Sequence, residues 1–238
     1  MASEGLNGPR VQFLANREGT VSALLNKVPN GVQNYYNEQV EAMAEALWEL
    51  EVCGAAPVLP DDRVGGNAAF RLPIEGHEDA MVVSKSGKLG GVGFDVSKDA
   101  CVVTGFDHKE WSSTYYSISD DVLPTSDTPM HYAALTAHSA YGWTEKPNAF
   151  LHGHALESAE AAQLHGLPIS HEITTCSTPD DTKALMLLLK DYAYPAHKVF
   201  IRRGHGFVVL GKDVADALNT LRTQVLPAME SEIESTQH

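Results

Sequence analysis

Apolar positions along the chain recur with two different periods, and the period changes near residue 128. From Tyr35 to Leu50, the residues Tyr36, Val40, Met43, Ala44, Leu47 and Trp48 follow the spacing of one helical face, and Gly54 marks where the helix stops. Before it, residues 1–33 carry scattered glycines and prolines with one short apolar run, Val21–Leu25. That pattern predicts a helical turn inside a loose N-terminal arm suited to packing against another subunit. After a turn at Pro57–Pro60, the runs Asn67–Leu72 and Ala80–Ser84 predict neighbouring strands joined by a polar loop around Glu75–Asp79. Gly93–Val96, Ala100–Gly105 and Thr114–Ile118 read as further strands, so this half of the chain is mostly sheet.

Beyond Thr128 helices and strands alternate. Met130–Tyr141 predicts a helix with Ser126 or Asp127 as its cap and Pro129 near its first position. Ala155–Leu164 and Asp181–Tyr192 predict two more, the latter opened by the capping signal Thr178-Pro179-Asp180-Asp181, and Val214–Glu230 a fourth that Pro227 interrupts. Ala149–Ala155 reads as a strand, and Lys198–Gly211 as two short strands hinged at Gly204-His205-Gly206. The expectation is one α/β domain over residues 34–238, a central sheet with helices on its faces, preceded by the arm of residues 1–33.

Composition narrows the function classes. The chain has 238 residues, is 43% hydrophobic and 20% charged, and carries a formal net charge of −14. Such an acidic balance argues against nucleic-acid or anionic-membrane partners, because counterion release needs a basic face. No apolar run reaches the about 18 residues of a membrane span, and no basic segment followed by an apolar one opens the chain. Cys53, Cys101 and Cys176 are odd in number and widely spaced, as expected of reduced thiols in a cytoplasmic protein.

The chemistry begins with His152 and His154. On a strand, side chains at i and i+2 leave the same face, so the two imidazoles point into one space, as metal ligands do. A pair of hydrogen-bonded core histidines gives the same spacing. His205, between two glycines that leave room beside its ring, is the natural third donor. Asp127 stands at a helix start, where a capping role is the ordinary reading. His131 and His138 lie on the helix after it and read as packing or supporting groups; Lys183 and Lys190 read as a solvated face. Arg202 and Arg203 read as strand-end charges, one of them within reach of a phosphate.

Taken in order, Asn67 after Gly65-Gly66, Ser84-Lys85-Ser86-Gly87, Thr125-Ser126-Asp127-Thr128-Pro129-Met130-His131, His152-Gly153-His154, and Gly204-His205-Gly206 with Gly211 behind it resemble the class II aldolase/adducin family, from about Tyr36 to Val225. The resemblance implies a single α/β/α domain with a mostly antiparallel sheet. It implies a divalent metal on His152, His154 and His205, with Asp127 as a fourth ligand or a base. Zinc suits such donors best, with Mn2+, Co2+ or Fe2+ as alternatives. It further implies that Asn67, Ser84, Ser86, Gly87, Thr125 and Ser126 hold a substrate phosphate, and that the protein is a homotetramer with sites between subunits. The implied reaction is retro-aldol cleavage of a phosphorylated keto-sugar or related hydroxy-ketone through a metal-stabilised enediolate. The alternatives are a sugar-phosphate epimerase or decarboxylase of the same family, or a non-catalytic adducin-like interaction module.

The chain departs from the family pattern at several points. Asn67-Ala68-Ala69 lacks the hydroxyl of the usual Asn-x-Ser, although Lys85 and Lys88 offer charge nearby. Asp127 is the acid of the epimerase branch, where aldolases usually have Glu, yet the tail Ser231–His238 lacks the epimerase tyrosine and the loop after His154 lacks its aspartate. That loop offers His171 and Glu172 instead as acid/base candidates.

Overall fold

The apolar strip of Tyr35–Leu50 and the β-rich runs that follow it meet across one sheet. The computed structural model describes residues 12–156 and 160–235. Its strands are β1 (Leu14–Gly19), β2 (Gly66–Arg71), β3 (Met81–Ser84), β4 (Ala100–Asp107), β5 (Ser112–Tyr116), β6 (Ala149–Gly153), β7 (Val199–Arg202) and β8 (Gly206–Gly211), in the order β1-β5-β4-β3-β2-β6-β8-β7. Every pairing is antiparallel except that of β1 with β5.

Alternation along the strands sends side chains to two cores. Ala68, Phe70, Val82, Leu151 and Val209 pack against Met43, Leu47 and Leu50 of α2 (Asn30–Val52) and Val214 and Ala217 of α6 (Val214–Thr220). Ala69, Val83, Phe150, Val208 and Leu210 face Met130 and Ala134 of α3 (Thr128–Tyr141) and Leu185 and Leu189 of α5 (Pro179–Asp191). Most of these side chains are fully buried, and each large one contributes roughly 1.5–3 kcal/mol. The architecture is therefore α/β/α, with strands buried on both sides.

Several expectations change. Leu14–Gly19, read as part of a loose arm, is strand β1, and the predicted turn at Val21–Leu25 is helix α1. Gly93–Val96 is not a strand: Gly91 and Gly93 have positive φ, and the Asp95 carboxylate accepts from the Ser97 backbone N–H in a tight turn. Of the helix expected over Ala155–Leu164, the described part is α4 (Glu160–Leu164), and residues 157–159 lie outside the described residues. The C-terminal helix is α6, a π-helical turn (Leu221–Val225) and α7 (Leu226–Ser235). Pro227 has no N–H to offer the preceding turn, and the wider turn just before it takes up the lost register. No described helix is long and apolar enough to cross a membrane.

The strand ends nearest the histidines approach without side chains between them. A Cβ on Gly206, whose φ is 122°, would sit 2.1 Å from the Gly153 carbonyl oxygen. One on Gly153 would sit 2.3 Å from that of Ala55. Only glycine permits this stacking of β8 on β6 on the segment after α2.

Candidate metal centre and active site

His152 lies on a central strand, paired in register with Asn67 of β2 and Val208 of β8. Its Nδ1 is 2.6 Å from the Phe207 carbonyl oxygen, to which it must donate, and this leaves Nε2 as the bare acceptor. His205 sits in the β7–β8 turn, with Nδ1 2.7 Å from Asp181 Oδ2. His154 follows β6 directly; its backbone N–H donates to the Gly65 carbonyl at 3.0 Å and its ring lies over the open face of Gly65. The ligand atoms of the three rings lie within 4.8 Å of one another. Nε2 of His152 and Nε2 of His205 are buried and have no hydrogen-bond partner. Two buried imidazole nitrogens with their opposite nitrogens already committed, converging with a third ring, are the donor set a divalent cation takes.

Burial depresses the ordinary histidine pKa to about 4 at His152 and about 3 at His154, with the positive charge of His205 adding to the effect, so both are in the neutral form a metal requires. At His205 burial is outweighed by Asp181 and Asp127, which raise its pKa well above the usual value.

Asp127 precedes α3, but its carboxylate does not cap the helix. Oδ2 accepts from Asn67 Nδ2 and Oδ1 from Ser177 Oγ, each at 2.6 Å. The two oxygens also lie 3.8 Å from Nε2 of His152 and of His205 respectively, too far for a hydrogen bond. Burial would raise its pKa, but His205, His152 and the Ser177 hydroxyl together hold it well below the usual carboxylate range. It stands beside two of the three histidines as a fixed anion.

The other predicted residues divide. The backbone N–H of Thr125 donates to the Ser84 carbonyl at 2.9 Å and that of Ser86 to the Leu123 carbonyl at 2.8 Å, so Ser84, Ser86 and Gly87 lie against Thr125 and Ser126. Ser84 Oγ also accepts from the Ala68 N–H at 3.3 Å, and Thr125 Oγ1 from the Asp127 N–H at 3.4 Å. The nearby lysines are paired, Lys85 with Asp99 at 2.5 Å and Lys88 with Glu51 at 2.6 Å. Asn67, expected at the phosphate, has both ends of its amide engaged, since Oδ1 is 2.6 Å from His131 Nε2. His171 and Glu172 are exposed on the loop before α5 and are not part of the three-histidine cluster. Of the two arginines read as strand-end charges, Arg202 is fully buried and donates to Asp181 at 2.7 Å.

Two residues were missed. Ser177, at φ 61°, donates to Asp127 from the same loop that carries His171. Asp181 was read as part of a capping signal, yet Thr178 is the cap and Asp181 is wholly buried, bonded to His205, Arg202 and Thr174. The one signal in the sequence was redundancy, since Thr178 already satisfies the helix start and leaves Asp181 free for another task.

These shifts make the chelated protein acid-labile. His131, also pushed down to about 4 by burial, joins His152 and His154 in resisting protonation when folded, whereas the unfolded residues take up protons near about 6.5. Between about 6.5 and 4 the unfolded state binds more protons, so stability falls as pH falls through that window. His205, with its raised pKa, carries its proton in both states throughout that window and does not offset the loss there. Urea midpoints measured at pH 7.5 and 4.5 check this; an equal or higher midpoint at 4.5 contradicts it.

A family model described as "Class II Aldolase and Adducin N-terminal domain" matches residues 61–224, a span that contains all three histidines, Asp127 and Asn67. The chain belongs to this class II aldolase/adducin family. Class II aldolases depend on divalent metals, and the three histidines can hold such an ion. Among solved structures, a sugar-phosphate aldolase from Thermotoga maritima is similar at 16% identity over 85% of this chain and 97% of that one, with a TM-score of 0.61. An L-fuculose 1-phosphate aldolase from Glaciozyma antarctica PI12 is similar at 16% identity over 89% and 79%, TM-score 0.57. A further L-fuculose 1-phosphate aldolase is similar at 13% identity over 84% and 87%, TM-score 0.55. These likenesses establish the class II aldolase fold. Comparison with curated proteins gives no significant match.

Proposed function

We propose that the chain is a divalent-metal-dependent lyase that cleaves a carbon–carbon bond of a phosphorylated keto-sugar or related hydroxy-ketone by retro-aldol chemistry. The observation that carries this reading is the convergence of His152, His154 and His205, two of them with buried Nε2 atoms that have no hydrogen-bond partner, beside the ionised Asp127. His152, His154 and His205 would hold the ion, with Asp127 as a fourth ligand in the absence of substrate; zinc suits this donor set. A bound divalent ion supplies Lewis-acid stabilisation of the negative charge that develops on oxygen as the bond breaks.

The protein's own groups supply the rest. Asp127 is ionised at neutral pH, so it serves as a proton acceptor for the substrate hydroxyl and not as a donor. Ser84, Ser86, Thr125 and Ser126 would offer hydroxyls to a phosphate and Gly87 a backbone N–H. His171 and Glu172, exposed on the adjoining loop, are the acid candidates that return a proton to the leaving carbon. On this reading residues 34–238 form the catalytic unit, with residues 1–33 lending β1 to its sheet, and the protein works in the cytoplasm as a homotetramer with sites between subunits.

The test is incubation of zinc-reconstituted protein with a panel of phosphorylated ketoses, following release of dihydroxyacetone phosphate or glycolaldehyde phosphate. Release that stops with chelator and returns with Zn2+ is the expected result. Conversion of substrate without release of two fragments points to epimerisation, and loss of carbon dioxide to decarboxylation; a protein that takes up no metal sinks the reading.

A further inference from the structure

We infer that Asn67 and His131 are positioning residues for Asp127, a directional hydrogen-bonded chain that fixes the acid beside the metal centre. The inference rests on the metal-site reading above.

The chain of contacts has one consistent direction. Along β2, Asn67 and Ala69 share the face that meets α3, while Ala68 and Phe70 face α2, so the Asn67 side chain is aimed at α3 and not at open solvent. On α3 and the residue before it, Asp127 and His131 stand four positions apart, one helical turn, and both meet that amide. Asp127 is an anion, so the amide must turn its NH2 towards it; Oδ1 facing a carboxylate would be repulsive. With Nδ2 2.6 Å from Asp127 Oδ2, Oδ1 points at His131 Nε2, also at 2.6 Å. That nitrogen must then carry a proton and donate, which sets the tautomer of a neutral ring. His131 Nδ1 is correspondingly the bare nitrogen, buried without a partner. The ring cannot tilt freely, because it packs on Phe150 with centroids 4.3 Å apart. All three residues are buried, His131 completely.

The position two residues on agrees. Where the family pattern has a hydroxyl, this chain has Ala69, fully buried against the α3 core. On this face β2 presents two polar side chains, Asn67 and Arg71; Arg71 donates to the Leu135 carbonyl of α3 at 2.8 Å, and Asn67 has its carbonyl oxygen taken by His131 and one amide proton taken by Asp127.

The experiment compares wild type with Asn67→Ala, His131→Phe and His131→Gln. It measures Zn2+ affinity by competition with a chromophoric chelator, the visible spectrum of the Co2+-substituted protein, and binding of inorganic phosphate. Removing an outer partner of a metal site typically weakens affinity by about 10–100-fold. Asn67→Ala and His131→Phe are expected to show a loss of that order and an altered Co2+ spectrum. His131→Gln, whose amide can still donate to Asn67 Oδ1, is expected to restore both to near the wild-type values. Rescue by glutamine separates positioning from mere filling of space; if His131→Phe does not fold, Asn67→Ala with His131→Gln makes the same comparison. Unchanged Zn2+ affinity and Co2+ spectrum in folded variants overturns the inference. So does weakened phosphate binding in Asn67→Ala with Zn2+ affinity intact, which would make Asn67 a phosphate donor. Wild type that binds neither Zn2+ nor Co2+ refutes the metal site itself, a separate outcome.

Discussion

Replacing His154 with alanine is expected to leave a folded protein without bound metal. His152 and His205 each use Nδ1 to satisfy a buried acceptor, the Phe207 carbonyl and the Asp181 carboxylate, so their removal disturbs the fold together with the site. The bond that ties His154 to Gly65 is made by the backbone N–H, which alanine keeps. A zinc site built from a few ligands is worth roughly 10–16 kcal/mol, so losing one donor costs about 3 kcal/mol or more, over a hundredfold in affinity. Elemental analysis after dialysis should find close to one metal per chain in wild type and almost none in the variant, with cleavage falling in parallel. Full metal content in His154→Ala would remove this histidine from the site.

Asp181→Ala is expected to produce the largest loss of stability. Arg202 and Asp181 are both fully shielded from solvent and bonded at 2.7 Å, and His205 depends on the same carboxylate. Removing one partner of a buried ion pair strands the other charge, which costs about 3–5 kcal/mol. Urea unfolding monitored by circular dichroism should show an unfolding free energy lowered by about 3–5 kcal/mol. Adding Arg202→Leu should recover much of it, because an apolar replacement of a whole buried pair is often near neutral. The double variant should still bind Zn2+ poorly, since nothing then orients His205. A shift below about 1 kcal/mol for Asp181→Ala alone would place the arginine in a more forgiving setting than its burial indicates.

Much of this molecule could be read from spacing. Tyr36, Val40, Met43 and Leu47 form the buried face of α2 and their period shows it, whereas Trp48, read on the same face, is exposed; β2, β3 and the hinge at Gly204-His205-Gly206 carry the composition that strands and turns require. The three histidines were legible because a strand period and a glycine-flanked turn constrain where imidazoles point. What escaped depends on partners far along the chain. Leu14–Gly19 has no apolar repeat because it is an edge strand whose residues alternate between half-buried and exposed, and only its pairing with β5 makes it a strand. Gly93–Val96 reads as a strand because Phe94 and Val96 stand two positions apart, but positive-φ glycines and the Asp95 turn outweigh β propensity. Asp181 and Ser177 act only once α5 and its preceding loop are folded against β7 and the turn that follows it, and an aspartate at a helix start has an adequate local explanation without that.

The glycine stacking at the ends of β6 and β8 bears on any attempt to rebuild this centre elsewhere. Because Gly206 and Gly153 let main chain touch main chain, the distance between His152 and His205 is set by backbone on backbone, with no side chain in the gap to compress or swap. A graft that copies three imidazoles onto a host sheet with ordinary residues at those two positions would hold the strands apart. The transferable unit is the pair of bare strand ends, and the ligands are what it displays.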